Sequence, residues 1–312
     1  MHRSIPPMID QTLLQYIEGE PEVPFFLKPS WMEVVCPGEW DVIALEKDGK
    51  LQAFIPIRLR KKWGFRIVTT PYLTPHSGPW FAEGVDSGLA TAELARRLDA
   101  FNYVHLSLDP ALPYSIGSNP YLQFSAEPTF VLSGSMDDIH AGLQKKLRQQ
   151  LNQSKDAFTL EAIDTTTFCA LIAQSFRRQS SAVPFSRTLI ERMVTQLRKH
   201  RWGDLIGAKD SSGEFLAATL YYEDQQWMYT MLSGQNYASE PRNAHKWLHY
   251  EIIKKAIGKQ KSINFMGSKI PGVAFWNSYF GAEIRYYFRV KKHPGGLLTR
   301  IDHWRTRWSF SG

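Results

Sequence analysis

The two halves of the chain carry the same sequence pattern. Residues 40–57 read WDVIALEKDGKLQAFIPI, and residues 202–221 read WGDLIGAKDSSGEFLAATLY. In both stretches, two segments with alternating apolar residues flank a charged turn that holds a glycine, Gly49 or Gly213. This pattern predicts a β-hairpin in each half. A repeat of this kind constrains the fold strongly, because the structure must accommodate the same unit twice.

The segments after each hairpin also match, in the same order and about 160 residues apart. Each hairpin is followed by a strand, a helical stretch, a short buried strand and a closing strand. The closing segments are FSAEPTFVL and FGAEIRYYF. We therefore predict two domains, residues 1–134 and 135–312. The order of elements predicts an α+β (mixed α/β) fold, in which each domain has a mixed, mostly antiparallel sheet flanked by helices.

Composition limits the partners and the compartment. The only cysteines among the 312 residues are Cys36 and Cys169, too few for a disulfide framework or a zinc site, so we expect a reducing compartment and no metal. No run of 18 apolar residues occurs, which predicts a cytoplasmic protein. The net charge of +7 and the pI near 9.3 favour anionic partners: a phosphorylated cofactor, nucleic acid or an anionic membrane surface.

Four stretches resemble, in their order along the chain, the FemABX-like transferases and their GNAT-type acyltransferase relatives. They are TTPYLTPHSGPWF, LQKKLRQQLNQSKDAF, GSKIPGVAFWNSYFGAE and IRYYFRVKK. The resemblance covers nearly the whole chain. It implies two tandem GNAT-like acyl-CoA N-acyltransferase domains. It also implies transfer of an acyl or aminoacyl group from acyl-coenzyme A (acyl-CoA) or aminoacyl-tRNA to an amine of a small molecule or an envelope precursor. DNA is not an expected partner.

The sequence departs from the family pattern at two places. Members that use aminoacyl-tRNA tend to carry a lysine four residues before the glycine of the Phe-Gly pair, where this chain has Asn277. Asn264 and Met266 replace the family's acidic pair. The departures argue against an aminoacyl-tRNA donor and leave the identity of the acyl donor open, with acyl-CoA as the expected donor and aminoacyl-tRNA as the alternative. They also motivate another alternative, a non-catalytic binding protein on the same fold.

The resemblance implies a donor site where a strand of the second domain leads into a helix. A helix start supplies backbone N–H groups and a positive dipole end for a pyrophosphate. The corresponding segment of the first domain, AEGVDSG, is acidic and lacks Lys and Arg, so we expect a single donor site, in the second domain. Its predicted cofactor-binding residues are Ser233, Gly234, Arg242, Asn243, Ala244 and Lys246.

Three residues are candidates for the chemistry of acyl transfer. Asn277 could donate a hydrogen bond to the oxyanion, and Tyr279 could protonate the leaving thiolate. His76 is the candidate general base, because imidazole titrates near neutral pH. Two of them have an ordinary structural alternative: Tyr279 as a core aromatic and His76 as a structural or solvated histidine. A positioned water could also replace the base.

The predicted acceptor-binding residues lie in three stretches: Tyr72 and Ser77 in a Pro-rich loop, Lys269 after a strand, and Lys146 and Arg148 on a basic helix. The alternative for the lysines and the arginine is a solvated face. The tail, residues 295–312, has apolar residues at helical spacing with arginines between them. We expect it to pack back across a domain. Its alternative is peripheral contact with the inner face of the membrane.

Overall fold

The computed structural model describes residues 11–110, 122–238, 243–266 and 271–292, with side chains from residue 275 in the last range. The helices are α1 (Gln11–Gly19), α2 (Pro29–Val35), α3 (Ser87–Leu98), α4 (Met136–Gly142), α5 (Lys145–Gln153), α6 (Thr165–Arg178), α7 (Arg187–His200), α8 (Ala244–Gly258) and α9 (Pro271–Ser278). The strands are β1 (Trp40–Lys47), β2 (Lys50–Lys62), β3 (Phe65–Thr69), β4 (Trp80–Phe81), β5 (Tyr103–Ser107), β6 (Gln123–Leu132), β7 (Phe158–Ala162), β8 (Gly203–Asp210), β9 (Phe215–Glu223), β10 (Trp227–Gln235), β11 (Ser262–Asn264) and β12 (Glu283–Lys292).

Polar residues set where several helices begin. Asp86 accepts a hydrogen bond from the backbone N–H of Leu89 at the start of α3. Asp164 accepts from two backbone N–H groups at the start of α6, and Ser186 caps α7 in the same way. Ser135 and Asp138 form a reciprocal capping box at α4. These caps satisfy backbone donors that have no partner inside the helix.

The chain forms two compact units. Among the described residues, unit 1 comprises those up to Glu127 and those from 286 to 292. Unit 2 comprises residues 128–285 where they are described. None of the described helices is both long and apolar enough to cross a membrane.

Unit 1 contains a sheet in the order β1-β2-β3-β5-β12, and β4 also pairs with β2. The predicted first hairpin is β1 and β2, which pair from Trp40 with Arg58 to Lys47 with Lys50. Neighbouring strands are antiparallel except for the parallel pair β3 and β5. One face packs on α3, and the core there includes Ile55, Val68, Leu94, Val104, Leu106 and Val290.

Unit 2 contains a sheet in the order β7-β8-β9-β10-β11-β6. The predicted second hairpin is β8 and β9. Again one pair, β10 with β11, is parallel and the other neighbours are antiparallel. The helix α8 packs into the core of this unit through its buried apolar residues, among them Trp247, Leu248, Ile252, Ile253 and Ala256. Core residues include Leu147, Met228, Leu248, Ile252, Ile253, Ile263 and Phe280.

The closing strands of the two repeats pair in an unexpected way. β6 follows the first repeat in the sequence, but its Val131 and Leu132 pair with Asn264 and Ile263 of β11 in unit 2. Residues 289–292 of β12, which follow the second repeat, pair with residues 104–107 of β5 in unit 1. Each unit therefore contains a strand from the other half of the chain.

The structure confirms the predicted fold class, a mixed, mostly antiparallel sheet flanked by helices in each repeat. The predicted helical stretches form α3 and α8, and the short strands form β5 and β11. The boundary at 134/135 remains a prediction. The predicted tail, residues 295–312, lies outside the described residues.

Candidate functional site

In unit 2, strands β10 and β11 pair over only part of their length. Their parallel register runs from Trp227 with Ser262 to Tyr229 with Asn264, where β11 ends. β10 continues to Gln235, paired with β9 alone among the described strands. A shift in the register with β9 occurs between residues 230 and 232, and such bulges bend a strand and re-aim its side chains. The end of β10 therefore has one edge that no described strand covers.

The corresponding place in unit 1 is occupied by the chain itself. β3 and β5 are parallel up to Thr69 with His105. The following segment stays beside β5: the Ser77 N–H donates to the Ser107 carbonyl at 2.8 Å, and the Asp109 N–H donates to the Gly78 carbonyl at 2.7 Å. These bonds use backbone groups of the β5 edge. In unit 2 no described strand covers this side of the end of β10, where the Gln235 N–H donates to Ser175 Oγ of α6 at 3.1 Å.

The loop residues predicted in unit 1 have defined places. His76 is 6% exposed, and its Nδ1 accepts the Gly78 N–H at 3.1 Å. The adjacent Ser77 is fully buried, and its Oγ has no partner within the described structure. Tyr72 is exposed, with the guanidinium of Arg58 4.0 Å from the centre of its ring. His76 and Ser77 lie together, whereas Tyr72 faces solvent.

A chain of hydrogen bonds links β9, β10 and α8 in unit 2. Thr219 Oγ1 donates to the Leu232 carbonyl at 3.2 Å and lies 2.8 Å from Ser233 Oγ. Ser233 Oγ lies 3.2 Å from His249 Nε2. A hydroxyl has one proton, so all three bonds form together only if Ser233 donates to Thr219 and His249 Nε2–H donates to Ser233. The network therefore fixes the histidine tautomer, with the lone pair on Nδ1.

His249 Nδ1 is a buried acceptor without a hydrogen-bond partner in the described part of the chain. The side chain is 3% exposed and lies among the rings of Trp276, Phe265 and Phe280, at 4.5, 6.2 and 6.4 Å between ring centres. Burial, together with the neighbouring His245, lowers the pKa of His249 well below its ordinary value. At neutral pH the imidazole is uncharged and can accept an N–H or O–H group.

His245 lies one turn before His249 on the same helix, with the ring centres 4.6 Å apart. The Trp276 ring also packs on His245 at 4.8 Å. Burial and the charge of Lys246 lower the pKa of His245 from 6.5 to about 4. Both histidines are therefore neutral under ordinary conditions.

Two lysines meet beside the start of α8. Lys246 Nζ donates to Gln150 Oε1 of α5 at 2.8 Å and lies 5.8 Å from the ring centre of Tyr279. Burial and the charge of Lys146, also on α5, lower the pKa of Lys246 below its ordinary value. Lys146 itself is exposed and Arg148 is half-buried. The two like charges leave this helix start with a surplus of positive charge that a phosphate could neutralise.

The other residues predicted at the donor segment play structural parts. A Cβ on Gly234 would lie 2.7 Å from the backbone nitrogen of Ile172 and 2.7 Å from the carbonyl carbon of Leu171. Gly234 thus allows α6 to approach β10 closely. Asn243 precedes the first residue of α8 without a side-chain cap, and Ala244 is buried.

Asn277 and Tyr279 lie at the end of α9. Asn277 is 1% exposed, and its Nδ2 has no partner among the described atoms. Tyr279 is partly buried against the core of unit 2, with an edge-to-face contact to Phe275 at 5.0 Å, and its carbonyl accepts the Gln144 N–H. Unit 2 thus contains two buried polar atoms without a described hydrogen-bond partner: the donor Asn277 Nδ2 and the acceptor His249 Nδ1.

Two predicted residues, Arg242 and Lys269, lie outside the described residues. Within the described ranges, no group of three or more His, Cys, Asp or Glu side chains could hold a metal ion.

The sequence analysis missed both histidines of α8. His245 and His249 stand four residues apart in NAHKWLHYEI, a spacing that places two side chains on the same face of a helix. That spacing could have identified the two histidines from the sequence. The hydrogen bond between Ser233 and His249 could not have been predicted, because the two residues are 16 positions apart on different elements.

Part of the chain matches a known protein family. Residues 142–269 match the family described as acetyltransferase (GNAT) domain. The matched range contains α5, β10 and α8, and hence Lys146, Ser233, Lys246 and His249. No curated protein matches the sequence.

Several solved structures share the fold. FemX is 12% identical, with a TM-score of 0.64 over 90% of this chain and 96% of that chain. L-PGS from Bacillus licheniformis is 12% identical, with a TM-score of 0.59 over 98% of both chains. An acetyltransferase of the GNAT family from Colwellia psychrerythraea is 9% identical, with a TM-score of 0.51 over 90% of this chain and 95% of that chain. The family resemblance predicted from the sequence is thus confirmed: residues 142–269 match the GNAT acetyltransferase domain family, and the chain shares the fold of FemX.

Proposed function

We propose that the protein is an N-acyltransferase that moves an acyl group from acyl-CoA to an amine of a small molecule or an envelope precursor. The observation that carries the proposal is the end of β10, whose one edge no described strand covers, beside the positively charged start of α8. Lys246 and Lys146 meet at this start, and the GNAT match covers both. In unit 1 the counterpart of β10 is β3, which ends at Thr69, and the segment that follows bonds to residues at the end of β5; this difference supports a single donor site.

The chain offers groups for each part of the donor. Lys246 and Lys146 would hold the pyrophosphate, together with Arg242. The edge of β10 that no described strand covers would bind the amide-bearing arm through backbone groups other than the Gln235 N–H, which donates to Ser175. Nearby, His249 Nδ1 would accept a hydrogen bond from an N–H group of the donor, because it is neutral and has no described partner.

The reaction joins the amine nitrogen to the carbonyl carbon and breaks the bond from that carbon to sulfur. The nitrogen loses a proton, and the leaving thiolate gains one. We assign the oxyanion contact to Asn277 and the proton for the thiolate to Tyr279. A positioned water would take the proton of the amine, and Lys269 and Arg148 are assigned to the acceptor. The predicted base His76 and the predicted acceptor-binding residues Tyr72 and Ser77 belong to unit 1 and stay predictions.

The test is calorimetric titration of the full-length protein with acetyl-CoA. Lys246→Gln should weaken binding roughly tenfold or more, since a charge-assisted hydrogen bond contributes about 1.5–3 kcal/mol. Lys254→Gln is the matched control, because Lys254 lies on the same helix, eight positions on, and pairs with Glu251. Its affinity should not change. Equal affinities for all three proteins would contradict the proposed donor site.

The same experiment separates the alternatives. An aminoacyl-tRNA-dependent transferase would bind tRNA with steep salt dependence and show no heat with acetyl-CoA. A binding protein without catalysis would bind its ligand but form no acylated amine in a mass-spectrometric assay. Formation of an acylated amine from acetyl-CoA, lost in Lys246→Gln at low donor concentration and restored at high concentration, supports the proposal.

A further inference from the structure

The hairpin between β2 and β3 projects from the sheet of unit 1. β1 pairs with β2 only as far as Arg58, whereas β2 and β3 continue to pair to Lys62 with Phe65. On the other side, β5 begins to pair with β3 at Ile67. Residues 60–66, RKKWGFR, therefore form a two-stranded ribbon that runs past the ends of both neighbouring strands. We call these residues the Trp63 hairpin. At the base of this ribbon Arg66 exchanges hydrogen bonds with Asn102, which precedes β5.

Trp63 at the tip of this hairpin is 78% exposed. It has a positive φ of 51° and is followed by Gly64 with a φ of 78°, the succession found in type I′ turns. The neighbouring hairpin of the same unit makes the same succession with Asp48 and Gly49, at 53° and 73°. Asp is favoured at that position, whereas a bulky aromatic residue is strained there. Turn formation alone thus gives no reason for a tryptophan.

The charges of the Trp63 hairpin are all positive. Four of its seven residues are Lys or Arg, and none is acidic. Arg60, Lys61 and Lys62 are exposed, and Lys62 Nζ lies 4.5 Å from the centre of the Trp63 ring. The acidic groups that face it are Glu39, 3.6 Å from Arg60, and Asp41, which interacts with Lys61 and Arg66. Two carboxylates therefore oppose four cations, and the tip keeps a positive charge.

We propose that the Trp63 hairpin docks the protein on an anionic lipid surface, with the Trp63 ring at the level of the headgroups. Indole is amphipathic and prefers the membrane–water interface. Flanking Lys and Arg side chains attract anionic lipids, at about 1 kcal/mol per cation. A narrow ribbon with one exposed tryptophan suits insertion between headgroups better than RNA binding, which uses grooves with several stacking rings. The strain at Trp63 then has a functional reason.

Co-sedimentation of the full-length protein tests this proposal, using mixed phosphatidylglycerol–phosphatidylcholine vesicles and pure phosphatidylcholine vesicles. Wild-type protein should sediment with the anionic vesicles, less so at high salt. With neutral vesicles it should stay in the supernatant. Lys61→Gln with Lys62→Gln should weaken binding roughly 30-fold, from the loss of two cations. Trp63→Asn should weaken it roughly tenfold, while the melting temperature stays equal or rises, because Asn tolerates the left-handed turn.

Leu89→Asn is the matched control, since Leu89 is also apolar, 74% exposed and in unit 1 but outside the Trp63 hairpin. Its vesicle binding should equal that of the wild type. The proposal is overturned if Trp63→Asn binds as the wild type does, or if neutral vesicles bind equally well. It is also overturned if homopolymeric RNA, and no vesicle, binds in a way that depends on Trp63.

Discussion

Ser233 Oγ on β10 accepts a hydrogen bond from His249 Nε2 on α8 across 3.2 Å. Ser233 in turn donates to Thr219, whose hydroxyl donates to the Leu232 carbonyl. With the donors arranged in this way, His249 Nδ1 carries a lone pair that has no described hydrogen-bond partner inside unit 2. The chain thus holds a neutral imidazole in one tautomer at the place where β10 and β11 separate.

Ser233→Ala should lower the free energy of unfolding by about 1–3 kcal/mol, because the buried Nε2–H of His249 then loses its acceptor. Urea denaturation measures the change. Ser212→Ala is the control, since Ser212 lies in an exposed turn, and we expect almost no effect. Thr219→Val with Ser233→Ala should cost less than the two single changes added together, because both act on one network. Full additivity would argue against the hydroxyl chain.

Stability should fall as the pH drops from 6.5 to 4. Above 6.5, His245 is neutral in the folded and unfolded states and contributes nothing to the pH dependence. Below pH 6.5 the His245 imidazole is protonated in the unfolded state, whereas in the folded state it stays neutral down to its pKa of about 4. This difference lowers the free energy of unfolding by about 3 kcal/mol at pH 4. The lowered pKa of His249 acts in the same direction.

The comparison of wild type with His245→Gln isolates this contribution from that of the carboxylates. Thermal unfolding at a series of pH values should show a flatter profile for the variant between pH 6.5 and 4. Identical slopes for both proteins would mean that His245 titrates normally.

Gly234→Ala should destabilise unit 2 by about 1–3 kcal/mol or more, because the added Cβ would meet backbone atoms of α6 that cannot rotate away. The melting temperature measures the loss. Gly142→Ala is the control, since a Cβ there meets nothing within 4 Å. A variant Gly234→Ala that melts with the wild type would show that α6 can shift away from β10.

Cutting the chain at the predicted boundary of 134/135 should leave two pieces that do not fold alone. The first piece lacks residues 289–292, the partner of β5, and the second lacks Val131 and Leu132, the partners of β11. Each would expose an unpaired strand edge, which promotes aggregation. Size-exclusion chromatography of the separate and co-expressed pieces measures this. Two soluble, monomeric pieces with native-like circular dichroism would refute the expectation.

The repeat, its hairpins and its main helices could be predicted from the amino-acid sequence. These depend on local signals: alternation of apolar residues around Gly49 and Gly213, and helical periodicity in α3 and α8. The resemblance to GNAT-type proteins also followed from short stretches of sequence. The donor segment before α8 was predicted from the same order of elements and stays a prediction; its Lys246 lies near Lys146.

The strand that closes each sheet, and the contacts between buried polar groups, depend on tertiary packing and could not be predicted from the sequence. Strand pairing is non-local, so two similar closing segments, β6 and β12, gave no sign that each would join the other unit. The Ser233–His249 bond depends on the packing of α8 over β10, and the exposure of Trp63 depends on where β1 and β5 stop. Local patterns specify elements, whereas burial and long-range pairing specify which side chains remain bare inside the core or exposed on the surface.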